Sequence, residues 1–105
     1  MPESNSADSR LRVLVVDDEV DYATALAHRL TRRGFAAEAV FSGTDAVARV
    51  ADVQPDVMLL DLKLPGLDGL DTLRAVRRIA PDVRVIVVTG HGTVASGIEG
   101  MQIGA

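Results

Sequence analysis

An α/β fold built on a doubly wound parallel sheet follows from three features of this 105-residue chain. Short apolar runs rich in β-branched residues recur along it, amphipathic stretches of helical period separate them, and acidic or hydroxyl residues close the runs. Strands alternating with helices need crossover connections, which are right-handed and cover both faces of the sheet with helices. The pattern predicts a strand-helix unit repeated four times.

Leu11 to Val16 is the first strand, a nearly continuous apolar run of the kind buried on both faces. Tyr22, Leu26 and Leu30 fall on one stripe of a first helix that ends near Gly34. Phe35 to Phe41 is a weaker strand of small residues. Ser42 can cap a second helix, with Asp45 three residues on in a variant of the capping box, and Ala46, Val47 and Val50 make its apolar stripe. Val57 to Leu62 and Val83 to Val88 are the third and fourth strands, and between them Leu73, Val76 and Ile79 mark a third helix stopped before Pro81. Val94, Ile98 and Met101 give one more stripe, yet Gly90, Gly92, Gly97, Gly100 and Gly104 fall in the same segment. An interior glycine costs about 1 kcal/mol relative to alanine, so this last helix should be weak. Residues 90–104 should therefore exchange amide hydrogens faster than the first and third strands.

Composition narrows the function classes. With 48% hydrophobic residues, the chain can bury roughly 60 to 70% of its unfolded surface in one core, spanning residues 11–105 behind a polar leader at 1–10. The formal net charge is −4 and no basic run follows a phosphate backbone, so direct nucleic-acid contact is not expected. The absence of cysteine excludes disulfides, thiolate metal sites and cysteine nucleophiles, and suits a reducing cytoplasm. No apolar run reaches the length that spans a bilayer, and the leader lacks the pattern of a signal peptide.

The chemistry gathers at the strand ends. In an open parallel sheet, ligands bind beyond the carboxyl ends of the strands, near the point where strand order reverses. Asp17, Asp18 and Glu19 close the first strand, Asp61 the third and Thr89 the fourth. Singly, an acidic helix start or a turn-forming aspartate would account for each carboxylate; together they favour a common site. Clustered carboxylates repel one another, and a hard divalent cation relieves them. Magnesium, which prefers oxygen ligands and takes one or two carboxylates alongside phosphate oxygens, fits this set. A carboxylate can also attack phosphorus to form an acyl phosphate. Gly90, Gly92 and Ala95 match a dinucleotide fingerprint in form, but they follow the fourth strand instead of the first. No phosphate-binding P-loop sequence is present.

Three segments carry a resemblance. VLVVDDE, DVMLLDLKLPGLDG and VIVVTGHG, at the ends of strands one, three and four, resemble the receiver domains of two-component response regulators, over residues 11 to 105. The resemblance implies a flavodoxin-like sheet of order 2-1-3-4-5, an order the handed crossover rule accommodates. It implies that Asp61 is the phosphoacceptor and that Asp18 and Asp61 bind Mg²⁺ directly, with Asp17 acting through water and the backbone carbonyl of Lys63 completing the protein ligands. Thr89 would donate a hydrogen bond to the phosphoryl group and carry the change to the helix that follows it. The implied partner is a cognate sensor histidine kinase, the implied location of the chain is the cytoplasm, and the implied output is transcriptional, with any DNA contact made by a separate output domain. Such a domain is a switch and not an enzyme. The family's lysine after strand five, its aromatic switch residue, strand five itself and helix five lie beyond Ala105, which would leave strand four as an open edge and a template for a homodimer. Without that lysine, a pseudo-receiver that binds partners without phosphorylation is the alternative function; a hydrolase with a carboxylate nucleophile would need a further acid or base.

Overall fold

The computed structural model describes residues 10–61 and 69–88. Its elements are β1 (Arg12–Val16), α1 (Val20–Arg32), β2 (Ala36–Val40), α2 (Gly43–Val53), β3 (Val57–Asp61), α3 (Gly69–Ile79) and β4 (Arg84–Val88). All neighbouring strands run parallel in the order β2-β1-β3-β4. The sheet reverses its order between β1 and β3, since β2 lies on one side of β1 and β3 on the other. That crevice is where the sequence placed the site.

Strand alternation divides the core into two clusters. Leu14, Val16, Met58, Leu60, Val85 and Val87 point to one face, where Ala46 and Val50 of α2 and Leu73 and Val76 of α3 pack on them. Val13 and Val15 point to the other, against Ala23 and Ala27 of α1. The period of two in the strands meets the period of 3.6 in the helices, so neither layer can slip without exposing its apolar set.

Among the described residues the element identities agree with the sequence reading, the expected fourth helix lying outside them, and the differences are instructive. The first helix turns its two alanines inward, Ala23 and Ala27, while Leu26 and Leu30 pack at the margin and Tyr22 is exposed. Small residues let the helix backbone approach the sheet. In α3 the stripe of Leu73 and Val76 is completed by the fully buried Thr72, whereas Ile79 is 48% exposed. Leu11, expected inside the first strand, is 52% exposed just before it. Burial on both faces holds for β1 alone; β3 and β4 alternate between buried and half-buried residues. The cause is α1, which lies over β2 and β1 on its side of the sheet. Among the described residues no helix covers β3 and β4 on that side.

The helix ends follow local chemistry. Gly34 stands past α1 at φ 102°, a left-handed conformation that glycine adopts without steric cost. Ser42 caps α2, its Oγ accepting the Asp45 N–H at 3.1 Å. Past α2 the chain turns through Gln54 at φ 50°, where no glycine announced the stop. At the opposite end of the sheet from the acidic residues, Asp56 ties three strands together. Its carboxylate accepts the Arg12 N–H at 2.8 Å, its own N–H donates to the Arg12 carbonyl at 2.9 Å, and its carbonyl accepts the Arg84 N–H at 3.1 Å. The leader at 1–9 and the glycine-rich segment 90–104 lie outside the described residues.

Candidate metal and phosphoacceptor site

The site is assembled from the carboxyl ends of two adjacent strands. β1 ends at Val16, so Asp17 is the first residue beyond it, held there by donating its N–H to the Val40 carbonyl of β2 at 3.2 Å. Its Oδ1 accepts the Glu19 N–H at 2.9 Å, which turns the chain into α1 and fixes the carboxylate. Asp17 is 4% exposed. Glu19 itself is the residue before α1 and caps it through its backbone carbonyl, which accepts the Ala23 N–H at 2.9 Å.

Asp61 is the last residue of β3 and is 6% exposed. It pairs in register with Val88, the last residue of β4. Parallel pairing thus aligns the ends of β1, β3 and β4 at one rim of the sheet. Asp17, Asp18 and Asp61 each offer one carboxylate oxygen such that these atoms lie within 4.8 Å of one another. Asp17 and Asp61 are buried and Asp18 is exposed.

Three negative charges at this spacing repel, more strongly where two of them are withdrawn from water. The donors are all oxygens, which suits a hard divalent cation, and the exposed Asp18 keeps one side of the group open to water. Beside the carboxylates, Val15, Tyr22, Leu26, Leu59 and Val88 line a small cleft of about 20 Å³. Larger hollows, about 570 and 320 Å³, lie at the far end of the sheet, around the starts of the strands.

The other residues singled out in the sequence divide by position. Thr89 directly follows Val88, and Lys63 belongs to the segment after β3; both lie outside the described residues. His28 is exposed on α1, as its place in the helical pattern implies. Arg29, Arg32, Arg33, Arg74 and Arg78 are exposed as well. Arg77 departs from that reading, because its guanidinium is half-buried and donates to the carbonyls of Pro81 and Val83, closing the turn into β4. Arg49 was not legible as a partner of Glu38, eleven positions away, since nothing local relates α2 to β2.

Known proteins complete the picture. The family model for the response regulator receiver domain matches residues 13–105. The acid tolerance regulatory protein ActR of Sinorhizobium medicae is 33% identical over 109 residues, an alignment covering 99% of this chain and 56% of ActR. The chain thus spans about half the length of such relatives. Among solved structures, NtrX from Brucella abortus superposes with a TM-score of 0.79 at 33% identity, covering 91% of this chain and 22% of NtrX. A response regulator from Burkholderia pseudomallei, solved with a phosphorylated aspartic acid, a calcium ion and citrate, gives 0.76 at 28% identity over 90% of this chain and 56% of its own. No helix among the described residues is long and apolar enough to cross a membrane. By its fold, its strand-end carboxylates and the family match across nearly its whole length, the chain belongs to the response regulator receiver domains of two-component systems.

Proposed function

We propose that residues 11–105 act as a magnesium-dependent phosphoacceptor in the cytoplasm, receiving a phosphoryl group on Asp61 from a sensor histidine kinase. The observation that carries this reading is the convergence of Asp17, Asp18 and Asp61 to within 4.8 Å at the switch point of the sheet. The phosphorylated aspartic acid and calcium ion of the Burkholderia relative support it.

In this reading Asp18 and Asp61 hold the ion directly, Asp17 holds it through water, and the Lys63 carbonyl adds a ligand. When bound, magnesium supplies positive charge against the carboxylates and the transferring phosphoryl oxygens. An Asp61 oxygen attacks phosphorus as the bond to the donor's imidazole breaks, and the imidazole keeps the electron pair and is reprotonated. The Glu19 N–H orients Asp17, and the rim of Val88 and Leu59 limits water at Asp61. Thr89, next to the in-register partner of Asp61, donates a hydrogen bond to a phosphoryl oxygen and transmits the change to the following segment. The output is transcriptional and is carried by another part of the protein.

Acetyl phosphate with Mg²⁺ should add one phosphoryl mass to the chain, and beryllofluoride should form the matching adduct. Both should be lost in Asp61→Asn. An adduct that persists in that variant rejects the assignment. A chain that binds Mg²⁺ through these aspartates without ever taking a phosphoryl group would instead be a pseudo-receiver, an interaction module only.

A further inference from the structure

We infer that the open edge of β2 is a docking site for an extended, basic and apolar segment of a partner protein, which adds to the sheet as a further strand. Among the described residues β2 has one neighbour, β1. The ladder to β1 begins where the Ala36 N–H donates to the Leu11 carbonyl at 2.8 Å and ends where the Val40 carbonyl accepts the Asp17 N–H at 3.2 Å. In a parallel ladder alternate residues bond to the same neighbour. Ala36, Glu38 and Val40 therefore face β1, and the amides and carbonyls of Ala37 and Ala39 face outward.

Natural edges are guarded by lysine, proline, bulges or projecting charges. β2 reads Ala36-Ala37-Glu38-Ala39-Val40, with three alanines that leave the backbone accessible and no proline. Its one charge is drawn back: the Glu38 carboxylate takes Arg49 Nε at 2.6 Å and Nη2 at 3.1 Å, a bidentate bridge to α2. Glu38 cannot then serve as the projecting charge that repels an approaching strand.

The space beside this edge has its own chemistry. A hollow of about 470 Å³ is lined by Val40, Phe41 and Ala48, and by Asp45, Arg49 and Asp52. Arg49 also gives Nη1 to Asp52 Oδ2 at 2.7 Å, so its single positive charge is shared between Glu38 and Asp52. Asp45 lines the same hollow, so Glu38, Asp45 and Asp52 outnumber the one guanidinium here and the surplus is negative. A segment whose alternate residues are apolar and basic would turn the basic ones to the α2 side, toward Asp45 and Asp52, and the apolar ones to the α1 side, toward Ala37, Ala39 and Phe41, while its main chain bonded Ala37 and Ala39. A second copy of β2 carries no basic residue to set against Asp45 and Asp52, so charge complementarity selects a foreign basic segment.

Backbone geometry supplies a selective variant. Proline at position 39 deletes an outward N–H and leaves the bonds to β1 in place, a position where edge strands tolerate it. The probe is a blocked peptide of alternating lysine and valine, titrated into the isotope-labelled chain and followed by amide chemical shifts. Shifts should centre on Ala37, Ala39 and Phe41, and binding should weaken about tenfold in Ala39→Pro, whose spectrum stays dispersed. Asp52→Lys, a surface change near the end of α2, should weaken it independently. An equal response to a glutamate–valine peptide, shifts mapping elsewhere, or no loss in either variant would overturn the proposal. Concentration-dependent dimers that form through β2 without peptide would overturn the choice of partner.

Discussion

Burial differs sharply between residues of similar apolarity, and stability should follow it. Met58 is fully buried between the helices on one face of the sheet, so Met58→Ala should cost about 2 to 5 kcal/mol, read from the urea midpoint at constant slope. Ile79, with about half its surface in water, should lose less than about 0.5 kcal/mol in the same substitution. Helical period alone gave Val76 and Ile79 equal weight; the end of α3 carries Ile79 past the edge of the core. At the proposed site the expectation concerns metal rather than folding. Asp17→Asn removes an outer ligand whose carboxylate is already bonded to the Glu19 N–H, and the Mg²⁺ concentration needed for half-maximal adduct should rise about 10 to 100-fold. An unchanged requirement would assign Asp17 a purely structural part.

Helix ends show how far local signals reach. Ser42 was recognisable because a serine three residues before an acidic residue satisfies a free amide, and Ser42→Ala should cost about 1 kcal/mol. The end of α2 was illegible for the opposite reason: Gln54 takes the left-handed conformation that glycine usually supplies. That conformation costs a side-chain-bearing residue about 1 to 2 kcal/mol, and glycine loses about 0.5 to 1 through its freer unfolded chain. Gln54→Gly should therefore raise stability by up to about 1 kcal/mol in thermal or urea unfolding. Between elements, the Arg49 guanidinium is held above the ordinary arginine range chiefly by its hydrogen bond to Glu38, against a smaller opposing effect of desolvation. A base with a raised pKa contributes its stability below its ordinary value and loses it only above the raised one, so no alkaline loss from Arg49 should appear below about pH 12. Salt is the better probe of this solvent-exposed bridge, since added ions screen it.

Across the whole molecule, a divalent ion that relieves three converging carboxylates must also stabilise the fold that brings them together. At a hundredfold excess over its dissociation constant, Mg²⁺ should add about 2.7 kcal/mol, which for a chain of this size raises the melting temperature on the order of 10 °C. Asp61→Asn should abolish most of that rise, and a similar rise in the variant would place the ion elsewhere. The sequence alone determined the strands, the helices between them and the acidic strand ends, because periodicity and turn chemistry are local properties of the chain. The register that levels Asp61 with Val88, the turn of Ala23 and Ala27 toward the sheet, the Asp56 clasp and the Glu38–Arg49 bridge were decided by tertiary structure. Each depends on which element lies beside which, and that is settled only when several apolar faces are buried at once.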